Sequence, residues 1–293
     1  MPSWGKSRGN KLGYHIFTVL IKTAGVFPAY ALLRLVTLYY FFVPGQAGKS
    51  LSYYFRQRLG WSWLKSKWAI YENFNYLGRS IIDKVVTMSG MPSPFTMSFH
   101  NETYLHQLAA EGKGALLVSA HIGNWESAGQ LLQRIQTPIN IVMYEGEHKK
   151  IKEHMNQVTR KSFHVIEIKE DISHIYEINE ALQRKEFVCI HADRYVEGNK
   201  TIEAPLLGSN AKFPLGPFVL ATTFKVPVVF VGSVKQGLKH FALSCSRPRT
   251  YLKGRADIPA VLHDYTTWMG IMIKKYPLQW HNYFPFWEEE KGA

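Results

Sequence analysis

Acidic residues are missing from the first quarter of this 293-residue chain: no Asp or Glu precedes Glu72. The same stretch holds ten basic residues: Lys6, Arg8, Lys11, Lys22, Arg34, Lys49, Arg56, Arg58, Lys65 and Lys67. It therefore carries +10 of the formal net charge of +13. Such a segment calls for an acidic partner, which could be phospholipid, nucleic acid or protein. Cysteine is scarce. Cys189 and Cys245 lie far apart with no Cys-x-x-Cys spacing. This excludes a disulfide framework and predicts buried free thiols in a reducing compartment. There is no His-Glu-x-x-His zinc signature and no Gly-x-Ser-x-Gly elbow, so neither a metalloprotease nor a serine hydrolase is expected, and no metal site is expected. Gly48-Lys49-Ser50 ends like a phosphate-binding loop, but Val43 stands where that loop needs its first glycine. No run of about 18 uncharged apolar residues occurs, as a simple membrane span requires. Nor is a cleaved signal sequence expected.

The residues between the basic ones choose among the partners. Ile16-Phe17, Val19-Leu20-Ile21, Ala29 to Leu33 and Leu35 to Val43 are apolar, and the last run includes Tyr39-Tyr40-Phe41-Phe42. A nucleic-acid arm is polar. A basic segment this rich in apolar and aromatic residues suits the membrane interface, where Lys and Arg meet anionic headgroups and the rings sit at the boundary. Lys22, Pro28 and Arg34 interrupt the segment and argue that it lies on the membrane rather than spanning it. Two amphipathic helices packed on the protein body would have the same pattern. From Leu51 to Ser89 apolar residues recur at three and four, from Trp61 to Val85, predicting helix with most of its tryptophans in the core. Residues 1–90 thus form a basic helical membrane-associating segment, and Met91-Pro92-Ser93-Pro94 marks entry into a second unit, 91–293.

That second unit alternates. Strands are expected at Ala115–Ser119, Ile139–Met143, Phe163–Ile168, Phe187–His191, Val226–Gly232 and Phe241–Cys245. Helices are expected near 125–135, 146–160, 173–184 and 215–224, with a last one capped by Asp257 and ended by Pro277. The pattern predicts an α/β fold with a largely parallel central sheet covered by helices.

His121 falls where the first of these strands hands over to a helix, and active sites of open α/β sheets form at strand carboxyl ends. Asn124 is a candidate N-cap, followed by Trp125. Glu126 sits in the first helical turn, where the dipole favours a carboxylate. A carboxylate beside an imidazole sets its tautomer and stabilises the imidazolium. His121 and Glu126 are therefore a candidate base and orienting carboxylate; a loop histidine with a solvated glutamate has the same spacing. A second constellation, His191-Ala192-Asp193-Arg194, follows the Phe187–His191 strand, on the same rim if the sheet is parallel. Asp193 and Arg194 are either site residues or an ion pair holding the loop. Gly216 and Pro217 open the next helix, where exposed N–H groups suit an anion.

With these residues in place, the chain resembles the lysophospholipid acyltransferase superfamily over residues 115–232. The closer likeness is to the branch of lipid A (lauroyl/myristoyl) acyltransferases. The likeness rests on His121-x-x-x-x-Glu126, Asp193-Arg194, Leu207-Gly208, Phe213-Pro214 and Gly216-Pro217. Trp4-Gly5-Lys6-Ser7-Arg8-Gly9 and the tail Pro277 to Trp287 are similar to a bacterial subgroup associated with aryl-polyene or flexirubin-type lipids. The resemblance implies transfer of an acyl group from acyl carrier protein or a CoA thioester to a hydroxyl or amine of a membrane lipid, without a cofactor, on the cytoplasmic face of the inner membrane. His121 and Glu126 would be catalytic, and Asn124, Trp125, Asp193, Arg194, Gly208, Phe213 and Gly216 would bind substrate. A 1-acyl-glycerophospholipid acyltransferase and a catalytically silent lipid-binding protein of the same fold are the alternatives.

Overall fold

The computed structural model describes residues 11–43, 45–88, 93–124, 134–144, 164–169, 171–196 and 198–287. The expected helices at 125–135 and 146–160 fall almost wholly outside these residues. Among those described, α1 (Lys11–Ala24), α2 (Val26–Phe42), α3 (Gly45–Tyr53), a π turn (Tyr54–Arg58) and α4 (Trp63–Met88) come first. Then follow β1 (Thr96–His100), α5 (Thr103–Ala110), β2 (Ala115–Ser119), β3 (Ile139–Tyr144), β4 (His164–Ile168), α6 (Ser173–Gln183) and β5 (Phe187–His191). The chain continues through β6 (Thr201–Leu206), β7 (Ser209–Pro214), α7 (Leu215–Thr223), β8 (Val228–Gln236), β9 (His240–Cys245) and α8 (Ile258–Lys275), and ends in an irregular tail.

Seven strands form one sheet in the order β1-β9-β8-β2-β5-β3-β4. β8, β2, β5, β3 and β4 run parallel; β9 is antiparallel to β8 and parallel to β1, so these two edge strands run the other way. The central strands are apolar on both faces because both are covered. Leu116, Val118, Val188, Ile190, Val228 and Phe230 face a large core built with α3, the π turn, α4, α6, α7, α8 and the tail. Their alternates Ala115, Leu117, Phe187 and Val229 face Leu105 and Leu108 of α5. This is the expected α/β arrangement.

Three features depart from the sequence reading. β1 was not expected; its burial is only partial, which leaves little periodic signal. The stretch 201–214, where no strand was expected, is an antiparallel hairpin, β6–β7, in a sheet of its own. Leu207 and Gly208 form its two-residue turn with φ of 52° and 82°, the left-handed pair such a turn demands. Asp257 occupies the N-cap position of α8 as expected but makes no side-chain cap bond: its carboxylate turns back to accept the Lys253 N–H at 2.8 Å, and a 3₁₀ turn precedes the helix.

The N-terminal helices are part of the core. Leu51, Tyr54, Phe55, Ala69 and Ile70 lie in one apolar cluster with the central strands. α1 and α2 pack on α4 and on Phe241 of β9. A buried polar link crosses this contact. The Lys235 ammonium of β8 lies 2.6 Å from Asp83 of α4 and 2.5 Å from the Tyr30 hydroxyl of α2, and Tyr30 donates to Asp83. Burial pushes the Lys235 pKa down and the Asp83 pKa up, each opposed by the partner's charge. Removing one partner leaves the other desolvated and unpaired. Lys235→Met should thus lower stability by about 3–5 kcal/mol in urea or thermal unfolding, and the double change with Asp83→Leu should restore much of it.

Candidate active site

Register brings the site together. β2 and β5 pair as parallel neighbours, with Ala115 opposite Phe187 and Ser119 opposite His191. The Ala192 N–H still reaches the Ser119 carbonyl at 3.0 Å, so the two chains leave the sheet side by side. Two residues further on, His121 and Asp193 meet. The His121 N–H donates to Asp193 Oδ2 at 2.9 Å, and the ring Nδ1 lies 2.7 Å from Oδ1. Both residues are buried. Burial raises the Asp193 pKa, but the His121 charge, its hydrogen bond and the charges of Arg194 and His191 together hold the carboxyl well below the usual range. An ionised carboxylate on Nδ1 keeps the proton there and leaves proton transfer to Nε2.

The loop that carries His121 has walls on two sides. On one, Gly123 forms a bridge with Ser233 of β8, and the Asn124 N–H donates to the Ser233 carbonyl at 2.9 Å. A Cβ on Gly123 would sit 2.1 Å from that carbonyl oxygen, and the residue has φ of 72°, so only glycine fits. On the other side, the tail pairs with it like a strand. The Gly123 N–H donates to the Gln279 carbonyl at 2.7 Å, and the His281 N–H to the His121 carbonyl at 3.0 Å. The Gln279 side chain closes the circuit by bonding both the N–H (2.9 Å) and the carbonyl (2.8 Å) of Lys235.

His191 lies against the His121 ring with centroids 4.3 Å apart, and its Nδ1 is 2.7 Å from the Ser119 hydroxyl. Burial, then the proximity of His121, pushes its pKa well below the usual histidine value. His281 is likewise driven down to about 3, by burial and then by Arg194 and His121. Two of the histidines around the site are thus neutral at pH 7. Among the described residues, His121, His191 and Asp193 bring possible ligand atoms within 4.8 Å of one another. Both Asp193 oxygens already accept hydrogen bonds, and Oδ2 takes a second from the Trp280 indole at 3.2 Å. These contacts hold the Asp193 carboxylate in a hydrogen-bonded pair with His121.

The other expected site residues are placed as follows. Glu126 and Trp125 lie outside the described residues; among those described, the carboxylate on His121 is Asp193. Asp193 faces His121 rather than Arg194. Arg194 instead donates to the His281 carbonyl at 2.8 Å, tying its loop to the tail. Asn124 is buried beside Ser233. Phe213 is fully buried and meets Tyr265 and Phe286 edge to face, which makes it a core residue. Gly208 is the hairpin turn, and Gly216 lies in the first turn of α7. The residues that sequence reasoning did not select are Trp280, His281 and Gln279 of the tail. Their signal was a dense aromatic stretch with no periodicity to assign it a partner.

Most of the large exposed apolar side chains among the described residues lie on the N-terminal helices, including Phe27, Leu35, Leu38, Tyr39 and Phe42 on α2 and Trp63, Leu64 and Trp68 on α4; others, such as Tyr176, Leu252 and Ile271, are scattered over the rest of the fold. Two of the three tryptophans around α4 are therefore more than half exposed, at 57% and 53%, instead of lying in the core. Trp61 stacks on Phe55 and carries the Lys65 ammonium 3.9 Å from its ring centre. Among the described residues no single helix is long and apolar enough to cross a membrane. α2 with the α3–π segment reaches the required length and composition only as a pair bent by 86°.

No curated protein matches the chain. A family model does: that of the bacterial lipid A biosynthesis acyltransferases matches residues 69–288, from α4 through the sheet to the end of the tail. That span takes in both strand ends, the hairpin and the strap over His121, so the chain is a member of the bacterial lipid A biosynthesis acyltransferase family.

Proposed function

We propose that the protein transfers a fatty acyl group from an acyl carrier protein or CoA thioester to a hydroxyl or amine of a lipid acceptor, with His121 as general base. The observation that carries this reading is the buried His121–Asp193 pair at the carboxyl ends of two parallel strands. In the step, the acceptor hydroxyl gives its proton to His121 Nε2 as its oxygen attacks the thioester carbonyl carbon. The C–S bond breaks, and the departing thiolate takes the proton back from the imidazolium. Asp193 stabilises that imidazolium and holds the ring. Arg194 or the N–H groups at the start of α7 would stabilise the oxyanion. No covalent acyl-enzyme is required. The Ser119 hydroxyl is already engaged with His191.

The site's place at the membrane is part of the proposal. The N-terminal helices pair a strongly basic sequence with an outward apolar and aromatic face, the chemistry of an anionic lipid surface. We assign the protein to the cytoplasmic face of the inner membrane, lying on it. The tail and the opening residues resemble a subgroup associated with aryl-polyene or flexirubin-type lipids, which makes those lipids the first acceptors to assay. Lipid mass spectrometry of cells with and without the protein would identify acceptor and chain length together.

His121→Ala should lower the transfer rate about 10²-fold or more, and His121→Asn should be as poor, because an amide cannot take the proton at neutral pH. Recovery of most activity by Asn would make His121 a positioning group and end the base mechanism. Asp193→Asn should retain the fold and lose about 10²- to 10⁴-fold in rate, since an amide no longer enforces the Nδ1–H tautomer. Glu126→Gln should lose less, and Glu126→Asp less still; the reverse ranking in steady-state rates would move the orienting role to Glu126. In fractionation, high salt should release little protein and detergent most of it, because apolar insertion resists screening. Replacing Leu35, Phe42, Trp63 and Leu64 by Ser should move the protein to the soluble fraction.

A further inference from the structure

Trp280 occupies an unusual position. Its side chain is 1% exposed, and its indole N–H donates to Asp193 Oδ2 at 3.2 Å, beside the His121 N–H on the same oxygen. The residue is fixed from several directions. The Asn73 amide of α4 donates to the Trp280 carbonyl at 2.8 Å, and Ile122 of the His121 loop bridges to it in antiparallel fashion. The ring meets Tyr54 of the π turn and Phe286 of the tail edge to face, each with centroids 5.2 Å apart. A packing role alone would be served by any large ring. The N–H on a buried, ionised carboxylate is a different matter, because charge-assisted bonds to such an oxygen are strong and directional.

We propose that Trp280 is a positioning residue for the His121–Asp193 pair: its indole N–H holds the Asp193 carboxylate in the orientation that aims Oδ1 at His121 Nδ1. Two donors converging on Oδ2 resist rotation about the carboxylate bond, so Oδ1 stays on the ring. The same N–H draws charge from the carboxylate, which tempers the stabilisation of the imidazolium formed in the proposed step. Among the described residues, the titratable and charged groups around the His121–Asp193 pair are Arg194 beyond β5, His191 at its end, His281 of the tail and Tyr265 of α8, next to Asp193. The catalytic meaning of this contact rests on the base role of His121 proposed above.

The test compares Trp280→Phe with a chain carrying 3-benzothienylalanine at position 280. The latter keeps the bicyclic shape but has sulfur in place of N–H. The His121 pKa is read by NMR of histidine-labelled full-length protein in detergent, the signal assigned by its loss in His121→Ala. Loss of the donor leaves more charge on Asp193, so the His121 pKa should rise, by about half a unit to one unit. The acyl-transfer rate constant should fall about tenfold with KM little changed. An unshifted His121 pKa in the sulfur isostere overturns the proposal, whether or not the rate falls, since lost packing alone would lower the rate. The isostere decides the matter even if the Phe variant does not fold. The titration also separates the two readings: full activity of His121→Ala would refute the base mechanism, while the pKa shift still scores the Trp280 contact.

Discussion

The contact on which the site depends is the parallel pairing of β2 with β5. It sets Ser119 opposite His191 and thereby delivers His121 and Asp193 to each other two residues past the end of the ladder. The chemistry follows from that placement. A carboxylate this deeply buried is tolerated because it accepts three hydrogen bonds, two of them from His121 and one from Trp280. A histidine so held has a set tautomer before any substrate arrives, which is the preorganisation that general-base catalysis needs. His191 packs against the ring from one side, and burial pushes its pKa well below the usual histidine value.

Around this pair the fold is closed by a strap. The tail lies along the His121 loop on one side and is held by α4 on the other, where Asn73 donates to the carbonyls of Leu278 and Trp280. Gln279 fastens the same tail to Lys235, whose side chain reaches Asp83 and Tyr30 in the N-terminal helices. The helices proposed to touch lipid with their outer faces therefore support the base with their inner ones. A surface element and a catalytic loop that share one scaffold keep a fixed relation, and the acceptor lipid in the proposed reaction lies in the membrane those helices would face.

Much of this was legible in the residues. Short apolar runs gave the central strands, with β2 and β5 at their observed limits, because a strand buried on both faces leaves a continuous signal. His121 stood out at a strand end, and His191-Ala192-Asp193-Arg194 at another. The hairpin β6–β7 was hidden because only part of it is buried, and its turn begins with Leu207, an uncommon residue at positive φ. The exposed Trp63 and Trp68 were hidden too, since helical spacing gives a periodic face without saying whether protein or lipid covers it.

What the sequence determined by itself was therefore local: strand and helix identity, the basic and aromatic opening, and a histidine poised at a strand's carboxyl end. The tertiary structure alone decided which carboxylate reaches that histidine among the described residues, because strand order and register are set by long-range packing that no spacing along the chain encodes. It alone brought Trp280 onto Asp193 and Gln279 onto Gly123 and Lys235. Those contacts join segments from opposite ends of the catalytic fold, and their partners are chosen by how the tail packs between α4 and the sheet.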